Sequence, residues 1–191
     1  MKAPIDFYFD FSSPYGYLAS TKIEALAARH GRSVKWRPIL LGVAFKATGG
    51  SPLPMIPLKG DYARRDFLRS ARFHDVQFRI PDPFPVSTVS ACRAFYSVAD
   101  DRQVPLAKAL YRAYFVDNVN IGEAEKTLKV AASLGLEPDL NDPALKERTR
   151  AEVDAALAKG VFGSPYLVVD GEPFWGVDRL DQVERWLRGP F

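Results

Sequence analysis

The chain has 191 residues, of which 47% are hydrophobic and 26% charged, which suits one globular domain or one domain with a large insertion. Its net charge of +3, from 26 basic and 23 acidic residues, is too small to indicate nucleic-acid binding but is compatible with a small anionic substrate. A single cysteine, Cys92, excludes an intrachain disulfide and favours a reducing compartment. We find no signal peptide and no run of about 20 apolar residues, so we expect a cytoplasmic protein outside the membrane.

The first forty residues predict a β–α–β unit. Residues 5–11 (IDFYFDF) alternate and are rich in aromatic side chains, which is typical of a strand. From Pro14 the apolar residues recur at helical spacing until Gly31, and residues 33–40 (SVKWRPIL) predict a second strand. The two strands are expected to be parallel, with a right-handed crossover.

The middle of the chain predicts an irregular loop followed by helices. Residues 42–58 hold paired glycines and three prolines, so we expect neither a strand nor a long helix there. The following helices are predicted at residues 60–75, from a Ser87 cap to about Asp100, at 104–116, at 123–134 and at 143–159.

The last thirty residues predict a hairpin and a helix. SPYLVVDGEPFWG reads as two strands joined by an Asp170–Gly171 turn, and Asp178 is expected to cap a final helix. The predicted fold class is therefore α/β, with a thioredoxin-like core (βαβ…ββα) formed by residues 1–41 and 160–191. Residues 42–159 would supply a connecting loop and a large all-helical insertion, including the second core helix, with a ligand cleft beside the core.

Ser13 stands at the corner between the first strand and the first helix, and it has two interpretations. Serine followed by Pro14 is a common helix start, so Ser13 could be a cap and nothing more. The same corner carries CxxC in thioredoxin-like redox proteins, whereas here it reads Ser13-Pro14-Tyr15-Gly16. If the site binds a thiolate, the sulfur must come from a ligand, and Ser13 would donate a hydrogen bond to it.

Two further motifs have the same ambiguity. Ser164–Pro165 precedes a predicted strand, where a cis proline would turn the Ser164 backbone toward Ser13; an ordinary turn is the alternative. Asp178 and Arg179 could be a helix cap and a surface residue, or they could bind the ammonium and carboxylate of an α-amino acid.

The basic stretch at residues 60–75 and the single cysteine have plainer interpretations. Most charges of this helix are expected on a solvated face, and at most one or two of them can face the cleft. Its aromatic residues Tyr62, Phe67 and Phe73 are expected to pack in the core, and Cys92 to be a buried small hydrophobe. Two histidines and one cysteine do not make a metal site.

Taken in order, the stretches FDFSSPYGYL, FKATGG, PLKGDY, VFGSPYLVVDG and FWGVDRL resemble the 2-hydroxychromene-2-carboxylate isomerase family. This family is related to kappa-class glutathione transferases within the DsbA-like thioredoxin superfamily, and the resemblance covers nearly the whole chain. It implies a homodimer, glutathione as cofactor, and a serine beside the glutathione sulfur, which is Ser13 here. Ser164 and Pro165 would hold the cysteinyl backbone, and Phe84 would line the substrate site. The other residues that the resemblance assigns to the cofactor are Lys46, Lys59, Trp175, Gly176, Val177, Asp178 and Arg179.

The implied reaction is a glutathione-dependent ring opening and cis–trans isomerisation of 2-hydroxychromene-2-carboxylate to trans-o-hydroxybenzylidenepyruvate, as in the catabolism of naphthalene-type aromatics. A basic residue between 46 and 72 would hold the carboxylate of this small aromatic substrate. Two alternatives stay open at this stage: a kappa-class-like glutathione transferase or peroxidase, and a non-catalytic thioredoxin-like binding module. A disulfide oxidoreductase is disfavoured because Cys92 has no partner cysteine.

Overall fold

A computed structural model describes residues 2–191. The strands are β1 (Ile5–Phe9), β2 (Val34–Pro38), β3 (Tyr166–Val169) and β4 (Glu172–Trp175). The helices are α1 (Pro14–Ser20), α2 (Ile23–Arg29), α3 (Leu41–Thr48), α4 (Lys59–Phe73), α5 (Val89–Ser97), α6 (Asp100–Phe115), α7 (Ala124–Ala132), α8 (Pro143–Ala158) and α9 (Leu180–Arg188). Short 3-10 turns lie at Leu53–Met55 and Val177–Arg179.

The four strands form one mixed sheet in the order β2-β1-β3-β4. β1 and β2 are parallel, with Phe7 opposite Trp36, and β1 and β3 are antiparallel, with Phe7 opposite Leu167. The expected α/β class and the βαβ…ββα order are confirmed. All four strands of the described chain lie within residues 1–41 and 160–191. The described residues between these two ranges form helices and loops.

The alternation of β1 divides the core between the two faces of the sheet. Ile5, Phe7 and Phe9 are fully buried on one face, among the larger group of helices. Tyr8 points to the other face, where Val161 and Tyr166 belong to the same apolar cluster. Burial of each large side chain contributes about 2–3 kcal/mol, so the period-two pattern fixes which face meets which helices.

The hairpin between β3 and β4 turns at Asp170 and Gly171, as the sequence predicts. Both residues have positive φ, 53° and 93°, which is the backbone that a two-residue hairpin turn requires. The Asp170 carboxylate accepts two hydrogen bonds, of 2.9 and 2.7 Å, from the buried Arg32 guanidinium. This bidentate pair attaches the hairpin tip to the segment between α2 and β2.

Two expectations about helix boundaries were wrong. The predicted helix from Pro14 to Gly31 is divided into α1 and α2, because the Ser20 and Thr21 hydroxyls donate back to carbonyls three residues earlier. Residues 42–58 were expected to be irregular, yet α3 occupies their first half. The prolines begin only at Pro52, after α3 has ended at Gly49 with φ 70°, so nothing in residues 41–48 breaks a helix.

Other differences concern caps and exposure. Ser87 is not a cap, since α5 begins at Val89 after Thr88, and the helix predicted at 104–116 begins earlier, at Asp100. The amphipathic helix expected at 60–75 is present as α4, and Phe67 is buried as expected. Tyr62 and Phe73 are instead 63% and 83% exposed, because they lie on its outer side.

Within residues 2–191, no helix combines the length and the apolar composition needed to span a bilayer.

Replacement of Asp170 by Asn tests the ion pair at the hairpin tip. Asn tolerates the positive φ of this position, so D170N removes the charge and keeps the turn. We expect the free energy of unfolding at pH 7 to fall by about 1 kcal/mol, a value discounted for the exposure of the carboxylate. The hydrogen bonds from Arg32 lower the pKa of Asp170, so this contribution is present above the unfolded-state value near pH 4 and disappears as the pH falls through the folded pKa.

The measurement is urea unfolding of both proteins at pH 7 and near pH 3. Asp75→Asn is the matched control, because Asp75 is another exposed aspartate at positive φ, 54°, and has no ion pair among the described residues. An equal deficit for D170N at both pH values would contradict a role of the charge.

Candidate functional site

A cavity of about 1110 Å³ opens beside the end of β1 and the beginning of α1. Its other walls come from α3 and the loop after it, α4, the loop before α5, the residues that precede β3 and the connection from β4 to α9. Of the eleven site residues proposed from the sequence, all but Lys59 line this cavity. Residues from both ends of the chain and from its middle therefore meet in one site.

Ser13 is both a helix cap and a cavity residue. Its hydroxyl oxygen accepts a hydrogen bond of 3.0 Å from the Gly16 N–H, and its proton is donated to the Ser164 carbonyl at 3.0 Å. Pro14 follows as the first residue of α1. The two interpretations of Ser13 are thus compatible, since the hydroxyl that caps α1 also lies in the cavity wall.

The Ser164–Pro165 peptide bond is cis, as the thioredoxin-like interpretation predicts. The Ser164 carbonyl is directed to Ser13, while the Ser164 hydroxyl accepts a hydrogen bond of 2.9 Å from the Asp10 N–H. The Pro165 carbonyl accepts a bond of 3.1 Å from the Gly176 N–H. This segment therefore connects the Ser13 corner on one side with the β4–α9 connection on the other.

Gly16 is the residue that permits this close approach. A Cβ atom at this position would lie 2.6 Å from the Ser164 hydroxyl and 2.8 Å from the Tyr111 hydroxyl. Both distances are well below van der Waals contact, so any side chain here would displace the two hydroxyl groups. The Tyr111 hydroxyl in turn donates a bond of 3.0 Å to the Asp10 carbonyl.

The connection from β4 to α9 forms the far wall. The Trp175 side chain lies over Gly163, where a Cβ atom would be 2.2 Å from its indole nitrogen. Asp178 was expected to cap α9, but it lies in the preceding 3-10 turn and makes no side-chain capping bond. It pairs instead with the neighbouring Arg179 at 3.4 Å, and both side chains are largely exposed at the cavity rim.

The lysines proposed from the sequence are separated by the fold. Lys46, in the last turn of α3, lines the cavity, whereas Lys59 begins α4 as an exposed residue outside the lining. Within the predicted window of residues 46–72, Lys46 is the only basic residue among the described cavity-lining residues. None of the four arginines of α4 lines the cleft, which lies within the upper limit of one or two that the sequence analysis sets.

Asp10 is a cavity residue that sequence reasoning missed. Its buried carboxylate accepts hydrogen bonds from the Ser12 N–H at 2.7 Å, the Leu41 N–H at 2.8 Å and the Thr88 hydroxyl at 3.1 Å. Burial raises the pKa of Asp10, and the three donated bonds act in the opposite direction. A charged residue at the end of an aromatic strand was the signal that could have revealed it.

A second missed group lies on the wall formed by α1 and α4. The Tyr15 hydroxyl donates a hydrogen bond to Asp66, and both residues line the cavity. Ser70, one turn after Asp66, also lines it and donates a bond of 3.3 Å to the same carboxylate. The periodicity of the sequence had assigned this part of α4 to a solvated face.

Cys92 takes no part in the site. It is fully buried in α5, its thiol contacts the Ile39 carbonyl at 3.6 Å, and burial raises its pKa well above the usual value. The expectation of a buried small hydrophobe is confirmed. A buried thiol of raised pKa is neither a nucleophile nor a redox centre.

The four-stranded sheet, the cis proline and the serine-bearing corner together define a thioredoxin-type protein without redox cysteines. Residues 4–188 match the family described as DSBA-like thioredoxin domain. The chain is 33% identical over 195 residues to 2-hydroxychromene-2-carboxylate isomerase from Sphingobium xenophagum, covering 98% of this chain and 99% of that protein. A solved 2-hydroxychromene-2-carboxylate isomerase superimposes with a TM-score of 0.85 at 26% identity, covering 96% of this chain and 94% of the other.

The chain belongs to the DSBA-like thioredoxin family and, within it, to the 2-hydroxychromene-2-carboxylate isomerase family. The expectation of an isomerase is confirmed at the level of this family. Kappa-class proteins are similar at lower identity: glutathione S-transferase kappa 2 of Caenorhabditis elegans is 26% identical over 208 residues, covering 98% of this chain and 92% of that protein.

The role of Asp10 can be tested by replacing it with Asn. The NH2 group of the Asn side chain would face at least one of the three donors that now bind the Asp10 carboxylate. That buried donor would then have no acceptor. We expect D10N to lower the free energy of unfolding by about 2–4 kcal/mol in urea denaturation.

Asp154→Asn is the control, because Asp154 makes a long surface ion pair of 3.6 Å with Arg150. Its loss is expected to cost less than about 0.5 kcal/mol. If D10N were as stable as the control, the carboxylate would not be holding the cavity walls together.

Proposed function

We propose that the protein is a glutathione-dependent isomerase that opens 2-hydroxychromene-2-carboxylate and isomerises it to trans-o-hydroxybenzylidenepyruvate. The observation that carries this proposal is the convergence of Ser13, the cis Ser164–Pro165 segment and the Trp175–Arg179 connection on one cavity. Their chemistry suits an extended tripeptide whose middle residue carries a thiol. The names of the relatives give the reaction class.

The residues of the cavity fit glutathione by their donor set. The Ser164–Pro165 backbone offers groups that can pair with an extended peptide, as an added strand does. Asp178 and Arg179, exposed at the rim, offer one negative and one positive side chain for an α-amino acid end. Lys46 offers a second cation for a carboxylate.

When bound, glutathione would supply a thiolate that adds reversibly to the conjugated carbon, so that the former double bond can rotate. The task of Ser13 is to hold the negative charge by a hydrogen bond, and its hydroxyl can rotate from the Ser164 carbonyl for this purpose. The helix behind it has only seven residues, so its dipole adds little. The stabilisation of the anion therefore depends on local donors at the corner.

The remainder of the cavity suits an aromatic carboxylate. Phe84, which the resemblance assigns to the substrate, lines the cavity together with Phe67, and the two rings lie edge to face at 6.0 Å between centroids. Lys46, which lines the cavity, is our candidate for binding the carboxylate of the substrate or the glycyl carboxylate of glutathione. Apolar walls with one cation at the edge are typical of sites for small aromatic acids.

A kappa-class-like transferase or peroxidase activity is the second candidate, favoured by the kappa-class relatives. It would use the same cofactor site and a different second substrate. Assays of chromene ring opening and of glutathione conjugation to an aryl halide separate the two activities. If the protein did not bind glutathione, the remaining alternative would be a non-catalytic thioredoxin-like binding module. A homodimer in the cytoplasm is part of the same proposal.

Replacement of Ser13 by Ala tests the anion-stabilising role. We expect kcat/KM for chromene isomerisation to fall about 10- to 1,000-fold, as on removal of one donor to a developing anion. The pKa of the bound glutathione thiol, followed by the ultraviolet absorbance of the thiolate, should rise at the same time because one stabilising donor is lost.

Asp142→Ala is the matched control for the capping role of Ser13. Asp142 caps α8 through a bond of 2.9 Å to the Ala144 N–H and does not line the cavity. Both variants are expected to lose about 1 kcal/mol of stability, and only S13A should lose activity. If S13A and D142A had equal activity, Ser13 would act only as the cap of α1, and its anion-stabilising role would be contradicted.

The two lysines give a further test. Lys46→Ala should raise KM for glutathione or for the chromene carboxylate about 3- to 30-fold, because a cation is removed from the cavity wall. Lys59→Ala should change neither constant by more than about 2-fold, since an exposed lysine outside the cavity makes only screened contacts. Steady-state kinetics with each substrate varied in turn measure both constants, and a larger effect of K59A than of K46A would contradict the placement of α3 and α4.

A further inference from the structure

The cavity contains a polar cluster that the proposed glutathione site does not use. It consists of Tyr15 on α1 and of Asp66 and Ser70 on α4, and all three residues line the cavity. Asp66 accepts hydrogen bonds from the Tyr15 hydroxyl and from the Ser70 hydroxyl. Arg69 contacts the same carboxylate from the exposed side of the helix.

The hydrogen bonds of this cluster leave acceptors, and no donors, for a ligand. The protons of the Tyr15 and Ser70 hydroxyls are both directed to Asp66, so each hydroxyl oxygen retains lone pairs and has no proton to offer. Burial, the bond to Asp66 and the nearby negative charge raise the pKa of Tyr15. Although burial opposes it, the bonds from Tyr15 and Arg69 lower the pKa of Asp66. Near neutral pH the phenol is therefore protonated and the carboxylate is ionised.

The surroundings of the cluster are aromatic. The Tyr15 ring lies edge to face on the buried Phe67 ring at 5.1 Å between centroids, and Phe67 lies edge to face on Phe84 at 6.0 Å. A flat ring that packs against this wall brings its own polar substituent close to the Tyr15 oxygen. The complementary ligand is thus an aromatic compound with a hydroxyl group that can donate.

We propose that the Tyr15 oxygen, with its proton held by Asp66, accepts a hydrogen bond from the hydroxyl group of the aromatic substrate. The cluster would then select ring compounds that carry a hydroxyl beside the reacting side chain. In the opened isomer this group is the phenol, whose oxygen is the ring oxygen of the cyclic hemiketal, while the hemiketal hydroxyl becomes the ketone of the pyruvate side chain. This inference rests on the proposed function, since it concerns the second substrate of the same cavity.

The test compares two ligands that differ by this hydroxyl. The affinities of o-hydroxybenzylidenepyruvate and of benzylidenepyruvate are measured by calorimetry on protein loaded with S-methylglutathione, which has no free thiol and cannot react. We expect the unmodified protein to prefer the hydroxylated ligand about 10-fold, as for one buried hydrogen bond. Tyr15→Phe keeps the ring against Phe67 and should reduce the preference to less than about 2-fold.

Tyr62→Phe is the matched control. Tyr62 lies on α4, the helix that carries Asp66. Its hydroxyl accepts a hydrogen bond of 3.1 Å from Arg69, but the side chain is exposed and does not line the cavity. The control should keep the full preference. Asp66→Ala is the second variant: it keeps the phenol but no longer directs its proton away from the ligand, so the Tyr15 hydroxyl can donate as well as accept and the preference should also fall below about 3-fold.

The outcomes separate the inference from the proposed function. Retention of the preference by Y15F would overturn the inference, and so would a loss of S-methylglutathione affinity in Y15F, because Tyr15 would then belong to the tripeptide site. An unmodified protein that binds S-methylglutathione but shows no preference would overturn the inference alone. A protein that does not bind S-methylglutathione at all would overturn both.

Discussion

The site depends on one buried carboxylate, that of Asp10. It accepts bonds from the backbone of the Ser13 corner, from the beginning of α3 and from Thr88 at the beginning of α5. These three segments are walls of the same cavity, and they are far apart in the chain. A carboxylate has acceptor sites for all three donors, and no neutral side chain of similar size could satisfy them together. The shape of the cavity therefore depends on three hydrogen bonds to one buried carboxyl group.

The corner itself joins the two ends of the chain. Ser13 and Ser164 are 151 residues apart, and the hydrogen bond from the Ser13 hydroxyl to the Ser164 carbonyl forms only when β1 and β3 are paired. Gly16 lets the hydroxyls of Ser164 and Tyr111 approach α1 without a clash. Stability of the core and geometry of the site thus rest on the same contacts, and a change that loosens one affects the other.

The features that the sequence predicts correctly depend on local patterns. The alternation of β1, the Asp170–Gly171 turn and the serine–proline corner each follow from a few adjacent residues, and the ordered motifs indicate the family. The helix α3 was missed because residues 42–58 were interpreted together, and the glycines and prolines after α3 dominate the composition of that segment. Asp10 and the Tyr15–Asp66 pair were missed because, apart from Ser12, their partners lie 31 to 78 residues away, and no local pattern encodes such pairing.

The enclosure of Cys92 has a consequence for how such an enzyme meets oxidative stress. The chain has a single sulfhydryl, and it is buried within α5 with its pKa raised, so peroxides in the surroundings find no reactive protein thiol to oxidise. If, as proposed, glutathione supplies the nucleophile, oxidation would deplete that reagent and leave the protein's own thiol intact. Activity would then follow the ratio of reduced to oxidised tripeptide and recover as soon as the pool is replenished, without repair or resynthesis of the protein.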